Sequence, residues 1–263
     1  MLDEVEGKCS AASPQLRFSS LGPSRSGTFY SRARNHTVGY TLAYPPGHCP
    51  GSRLPLVVML HGFGADHATA LVGMTPAEAL ALRVGGVPLA PMALVTVDGG
   101  GGYWNRHPGD DPMAMVIHEL IPRCQRLGLG RPPFRFGTMG VSMGGYGAIL
   151  FAEKYPHLIA AVAAISPAIW TSYSQANGAN SGAYASAGDF AADDAVTHAD
   201  ALAGIPVRVA SGYSDPFRPG VESLAKALPP SAVMNFSTGC HTSPFFVAEE
   251  PPSLGFLARH LTG

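Results

Sequence analysis

Ser142 stands in the stretch Gly140-Val141-Ser142-Met143-Gly144-Gly145-Tyr146, where an apolar, β-prone run over residues 134–141 meets a helix-prone run over residues 145–155. A serine hydroxyl attacks an acyl carbon at neutral pH only when a neighbouring base takes its proton. It also has to be accessible. The pattern G-x-S-x-G between a strand and a helix meets that need, because glycine on either side of the serine allows a sharp, strained turn that leaves Oγ exposed. In a chain with 32 glycines the pattern alone is only moderately specific, and the bland alternative is an ordinary glycine-rich turn. The partners of the serine decide between the two.

On a mostly parallel sheet, such a nucleophile is followed in the chain first by an acid and then by a histidine. Asp215 follows an apolar run over residues 207–210 through Ser211-Gly212-Tyr213-Ser214, which puts it just past the carboxyl end of a strand. It could instead cap a helix opened by Pro216. Its order and position favour the role of orienting a base. Asp189, Asp193, Asp194 and Asp200 lie in or just after an irregular loop and are weaker candidates, and Glu222 reads as a solvated helix position. Of the ten histidines, His241 is the one that lies both downstream of Asp215 and at a strand end. It is the expected base.

The tetrahedral intermediate needs hydrogen-bond donors aimed at its oxyanion. The backbone N–H of Met143, at the positive end of the following helix, is the expected first donor, and that of Phe63 in His61-Gly62-Phe63-Gly64 the second. His61 is expected to brace this loop. Tyr103 and Trp104, after the run Asp98-Gly99-Gly100-Gly101-Gly102, are expected to wall the substrate cleft. That glycine run is not read as a phosphate loop, because it has no G-K-[ST] and no G-x-G-x-x-G that opens a helix.

The elements that position these groups alternate along the chain. Short strands are predicted at residues 15–21, 28–33 and 36–44, and buried strands at 54–60, 93–97, 134–141, 159–165, 207–210 and 233–236. Helices are predicted over 77–83 behind a Thr75-Pro76 start, from Asp111-Pro112 onward with a kink at Pro122 or a division there into two shorter helices, and over 145–155, 194–203, 221–228 and 254–261. Strands alternating with helices give an α/β fold, a mostly parallel sheet covered on both faces. The chain reads as one domain over residues 1–263, with an irregular N-terminal segment at 1–27 and a lid-like loop at 169–189 that forms at most a minimal cap.

Composition narrows the function classes. Apolar residues make up 46% and charged residues 13% at a formal charge of −1, so the chain is not globally disordered, and no basic run suggests nucleic acid. No apolar stretch reaches the length of a membrane span. Four cysteines without a C-x-x-C offer no zinc site and leave their pairing open. The start of the chain lacks the features of a signal peptide, so the expected location is either the cytoplasm or, with an export segment removed, outside it. Three lysines among many Arg, Ala and Gly suggest a high-GC bacterial source.

Leu60-His61-Gly62-Phe63, Val97-Asp98-Gly99-Gly100, Gly140-Val141-Ser142-Met143-Gly144-Gly145-Tyr146-Gly147-Ala148 and Gly239-Cys240-His241 together resemble the putative-esterase family, which includes esterase D (S-formylglutathione hydrolase) and the mycobacterial mycolyltransferases. The resemblance covers about residues 30 to 262. It implies an α/β-hydrolase fold, hydrolysis of a small-molecule ester, no cofactor, and the triad Ser142, Asp215 and His241. Thr242-Ser243-Pro244 departs from the Asp-Trp type of continuation common in relatives, and this departure bears on the acyl pocket. The expected activity is that of a serine carboxylesterase for short-to-medium acyl chains. The alternatives are an acyltransferase of mycolyltransferase type and a non-catalytic surface or adhesion protein on the same fold.

Overall fold

The computed structural model describes Cys9, residues 15–130 and residues 134–261. Part of the irregular segment expected at 1–27 lies outside the described residues. The remainder is shorter than expected, since strand β1 (Ser24–Ser31) already begins within it.

Eight strands form one sheet. In chain order they are β1, β2 (His36–Ala43), β3 (Leu56–Leu60), β6 (Ala93–Val97), β7 (Phe136–Val141), β8 (Ile159–Ile165), β9 (Val207–Gly212) and β10 (Val233–Ser237), while β4 (Arg83–Val84) and β5 (Val87–Pro88) make a separate small hairpin. The spatial order is β1-β2-β6-β3-β7-β8-β9-β10. β1 and β2 run antiparallel to their neighbours, and the strands from β6 to β10 are parallel. β3, β6 and β7 are buried at every residue, as a parallel strand covered on both faces must be, which is why they read as unbroken apolar runs. The chain has an α/β-hydrolase fold.

The helices are α1 (Pro76–Leu80), α2 (Pro112–Met115), α3 (Ile121–Arg126), α4 (Met143–Lys154), α5 (Tyr173–Ala179), α6 (Ala187–Ala192), α7 (Arg218–Ala227) and α8 (Ser243–Leu261). Thr75 and Glu78 form a reciprocal capping box on α1, and Asp111 caps α2 through the Ala114 N–H. Of the two expectations at Pro122, the structure has the two shorter helices, α2 and α3, joined by a π-helical turn over Val116–Leu120. The wider turn absorbs the missing proline N–H one turn ahead of it.

Several expectations are corrected. Residues 15–21 do not form a strand. Phe18 makes one bridge to Leu82, and Ser19 bonds to Ala81 at the end of α1 instead of to the sheet. The loop at 169–189 contains two short helices, α5 and the start of α6, each opened by a serine cap, Ser172 and Ser186. The helix expected at 194–203 reduces to a 3₁₀ turn at Ala199–Leu202, because the Asp194 side chain bonds the Val196 N–H and the Thr197 hydroxyl and so competes with helix formation. The last helix starts eleven residues earlier than expected and continues through Pro251 and Pro252.

Cys9 is disulfide-bonded to Cys240, while Cys49 and Cys124 are free thiols. Burial pushes the Cys124 thiol up to about 12, so it packs as an inert apolar group. Among the described residues no helix is long and apolar enough to cross a membrane.

α4 is buried from Met143 to Glu153, packed against β7 and β8. Glu153 is therefore an anomaly. It is 8% exposed, and neither carboxyl oxygen has a hydrogen-bond partner among the described residues. Burial raises its pKa to about 9, reinforced by Asp194, Asp193 and Asp200 and opposed by Lys154. A carboxyl with a raised folded-state pKa binds its proton more tightly in the native state. Its contribution is therefore complete below the unfolded value near 4.5 and is lost as pH rises toward about 9. Glu153→Gln should remove this part of the decline. Thermal unfolding at pH 5, 7 and 9 should show a smaller fall in Tm for the variant than for the parent, and parallel curves would contradict the assignment.

Candidate active site

Ser142 joins β7 to α4 at φ 57° and ψ −119°, a conformation that L residues seldom adopt. Three backbone hydrogen bonds hold it there. Its N–H donates to Ile165 O (2.9 Å), and its carbonyl accepts from Tyr146 N (3.0 Å) and Ala168 N (3.0 Å). The turn also requires close approach. A Cβ on Gly140 would collide with the backbone of Gly144, and one on Gly144 with the backbone of Leu60 and His61. Both glycines of G-x-S-x-G are therefore needed for contact as well as for conformation.

The ends of β9 and β10 bring the other two groups to this turn. His241 Nε2 lies 2.8 Å from Ser142 Oγ, and His241 Nδ1 lies 3.0 Å from Asp215 Oδ2. The Asp215 side chain is fully buried. Its second oxygen accepts the Phe217 N–H at 2.8 Å in a local turn ahead of α7, and α7 itself begins after Phe217 without a side-chain cap, so Asp215 does not fill the capping role that the sequence also allowed. The two loops are also tied to each other. Tyr213 N donates to Ser237 O (2.8 Å) and Ser214 N to Gly239 O (2.9 Å), which fixes the acid relative to the base. Phe217 and Phe246 flank the imidazole, each with its ring centre 5.0 Å away. The disulfide to Cys9 anchors the residue just before His241.

The loop after β3 lies across the serine. A Cβ built on Gly62 would be 3.8 Å from Ser142 Cβ, and Gly62 and Phe63 line the same cavity as Ser142. Phe63 is exposed, and Met143, first residue of α4, carries a backbone N–H that has no acceptor within its own helix. His61 is buried. Its Nε2 accepts the Gly99 N–H at 2.8 Å, and its Nδ1 lies 2.8 Å from Gly62 O. Burial lowers its pKa, against the raising effects of the Gly62 carbonyl and of Asp98 and Asp66. A neutral imidazole with Nδ1–H donating and Nε2 accepting satisfies both contacts, so His61 ties this loop to the one that carries Gly99 with both ring nitrogens engaged.

Tyr103 and Trp104 do not wall the cleft. Trp104 is fully buried, donates from Nε1 to His61 O at 3.2 Å, and fills the space left by Gly99 and Gly147, where a Cβ would strike its ring. Tyr103 is 5% exposed and packs among Tyr146, Trp170 and Tyr184. Both residues adopt positive φ, near 57° and 60°, which turns the loop inward. They support the site from behind. The cleft beside Ser142 is instead a cavity of about 360 Å³, whose apolar wall includes Phe63, Ala70, Val72, Val141 and Phe246. The sequence reading missed Ala70, Val72 and Phe246. Phe246 sits two residues beyond Thr242-Ser243-Pro244, the departure that bears on the acyl pocket.

The competing acids are engaged elsewhere. Asp189 bonds the Ser186 hydroxyl, Asp193 pairs with Lys154, and Glu222 pairs with Arg218 on α7. Among the described residues no group of His, Cys, Asp and Glu could hold a metal ion. A hydroxyl, an imidazole and a buried carboxylate in this order can perform acyl transfer through a covalent intermediate.

Solved structures with the same fold include a ferulic acid esterase (19% identity, TM-score 0.71, covering 91% of this chain and 99% of that one) and an S-formylglutathione hydrolase from Agrobacterium tumefaciens (17%, 0.72, 94% and 98%). A feruloyl esterase module from Clostridium thermocellum, complexed with sinapinate, matches at 15% identity with a TM-score of 0.70, covering 96% and 97%. No curated protein sequence matches. The family profile described as putative esterase matches residues 31–229, well over half of the chain. The chain belongs to the putative-esterase family and is a carboxylic ester hydrolase.

Proposed function

We propose that the protein is a serine carboxylesterase in which Ser142 is the nucleophile, His241 the general base and acid, and Asp215 the group that orients and stabilises the imidazolium. The observation that carries this reading is the unbroken hydrogen-bond line from Asp215 Oδ2 through His241 to Ser142 Oγ, with steps of 3.0 and 2.8 Å. Asp215 fixes the tautomer with the proton on Nδ1, which leaves Nε2 free to take the serine proton as Oγ attacks the ester carbonyl. The backbone N–H groups of Phe63 and Met143 stabilise the oxyanion, with the positive end of α4 behind it. The imidazolium then protonates the leaving alcohol. Water, activated by the same imidazole, releases the acid from the acyl-enzyme.

The size of the cavity beside Ser142, about 360 Å³, supports short-to-medium acyl chains, since it falls at the small end of the range for ligand pockets. Each further methylene contributes about 0.8 kcal/mol only where it finds apolar wall to cover.

Ser142→Ala should leave the fold intact and lower kcat by about 10⁴-fold or more, and should abolish labelling by a fluorophosphonate. A folded variant that retained most of its activity would refute the mechanism. Asp215→Asn should cost about 10⁴-fold through the wrong imidazole tautomer, whereas Asp189→Asn, Asp193→Asn and Asp200→Asn should cost little. A large loss at one of those three would move the acid. Across p-nitrophenyl esters, kcat/KM should level off by about six to eight acyl carbons, as the wall is used up. A rise of tenfold per two carbons beyond eight, or faster turnover in the presence of an alcohol acceptor, would instead indicate a lipase or an acyltransferase.

A further inference from the structure

α8 carries two adjacent buried carboxylates with different partners. Glu249 pairs with Arg208 of β9 at 2.6 Å and accepts from Asn235 of β10 at 2.9 Å. Glu250 is fully buried and reaches 178 residues back along the chain, where its Oε1 accepts the Val72 N–H at 2.7 Å. Its other oxygen has no hydrogen-bond partner among the described residues. A buried carboxyl with one partner is costly to keep unless the contact it makes is needed.

The contact falls on the cavity wall. Thr69, Ala70 and Val72 line the cavity that Ser142 and His241 open onto, and no strand or helix holds this stretch in place. The loop rests on α8 at a second point, where Gly73, at φ 74°, leaves room for Val247: a Cβ there would lie 3.3 Å from Val247 Cγ2. Phe246 of the same helix lines the cavity and packs edge-on against His241. One turn of α8 thus places Phe246 directly and holds the loop stretch of the wall at Val72 through Glu250. Burial raises the Glu250 pKa to about 8, with the Val72 N–H opposing, so the carboxyl enters neutral solution mainly protonated and still offers an oxygen to Val72.

Building on the esterase reading of Ser142, we infer that Glu250 is a positioning residue for substrate selection: its hydrogen bond to Val72 sets the wall of the cavity and so the size of the ester arm that binds there. It touches neither the substrate nor the reacting atoms.

The test uses the full chain with Glu250→Leu, which removes the acceptor, and Glu250→Gln, which retains one. The probes are methyl acetate, methyl hexanoate and hexyl acetate, so that a long arm is offered on either side of the ester. Glu250→Leu should raise KM by about tenfold more for one of the two long esters than for methyl acetate, with the change in KM rather than kcat, and Glu250→Gln should restore most of the selectivity. Equal losses on all three esters, or a Gln variant as impaired as the Leu variant, would overturn the inference. Amide exchange at Val72 gives a second readout that needs no variant and no activity. Val72 should exchange slowly in the parent protein, and fast exchange would disprove the clamp even if Glu250→Leu fails to fold. Fluorophosphonate labelling of Ser142 keeps the two readings separate: an unlabelled parent counts against the esterase reading, while labelled variants with unaltered selectivity count against Glu250 alone.

Discussion

The structure depends on one strained residue. Ser142 occupies a positive-φ conformation that costs on the order of 1 to 3 kcal/mol, and it does so where a fully buried strand turns directly into a helix buried from Met143 to Glu153. The cost is met by the surroundings. Three hydrogen bonds fix its peptide groups, two glycines let β7, α4 and the end of β3 touch, and Gly147 makes room for Trp104, which bonds the carbonyl of His61 at the end of β3. Held in this way, Ser142 keeps Oγ 2.8 Å from His241 Nε2 at the start of α4.

The same constraint explains why the site is assembled from the ends of parallel strands. β3, β7, β9 and β10 all point their carboxyl ends the same way, and each delivers one component: the loop of Gly62 and Phe63, Ser142, Asp215 and His241. Hydrogen bonds between the β9 and β10 loops make Asp215 and His241 one unit, so their spacing is set by the ladder of the sheet rather than by side-chain packing alone.

Much of this was legible in the sequence, because backbone constraints leave local signatures. The glycines around Ser142, the Thr75-Pro76 and Asp111-Pro112 helix starts, and the unbroken apolar strands each report a nearby physical requirement. What was not legible depends on contacts distant in sequence. Trp104 looks like a cleft residue until Gly99 and Gly147 are seen to fold around it, and Glu250 gives no sign of its partner 178 residues away. The 194–203 segment misled for a local reason, since the Asp194 side chain captures the backbone groups that a helix would have used. α8 misled in the opposite sense, because two prolines that ordinarily end a helix are carried within it.

The bond between Cys9 and Cys240 makes most of the chain a covalent ring. A span of 231 residues separates the two sulfurs, and that span includes every strand of the sheet together with Ser142 and Asp215. His241 is the first residue outside it. A single backbone cut anywhere within the ring would therefore leave the two pieces joined through the disulfide, and Ser142, Asp215 and His241 would remain in one molecule. That tether lasts only while the surroundings keep the sulfurs oxidised. In a reducing medium the same cut would leave the parts of the active site held together by packing and hydrogen bonds alone.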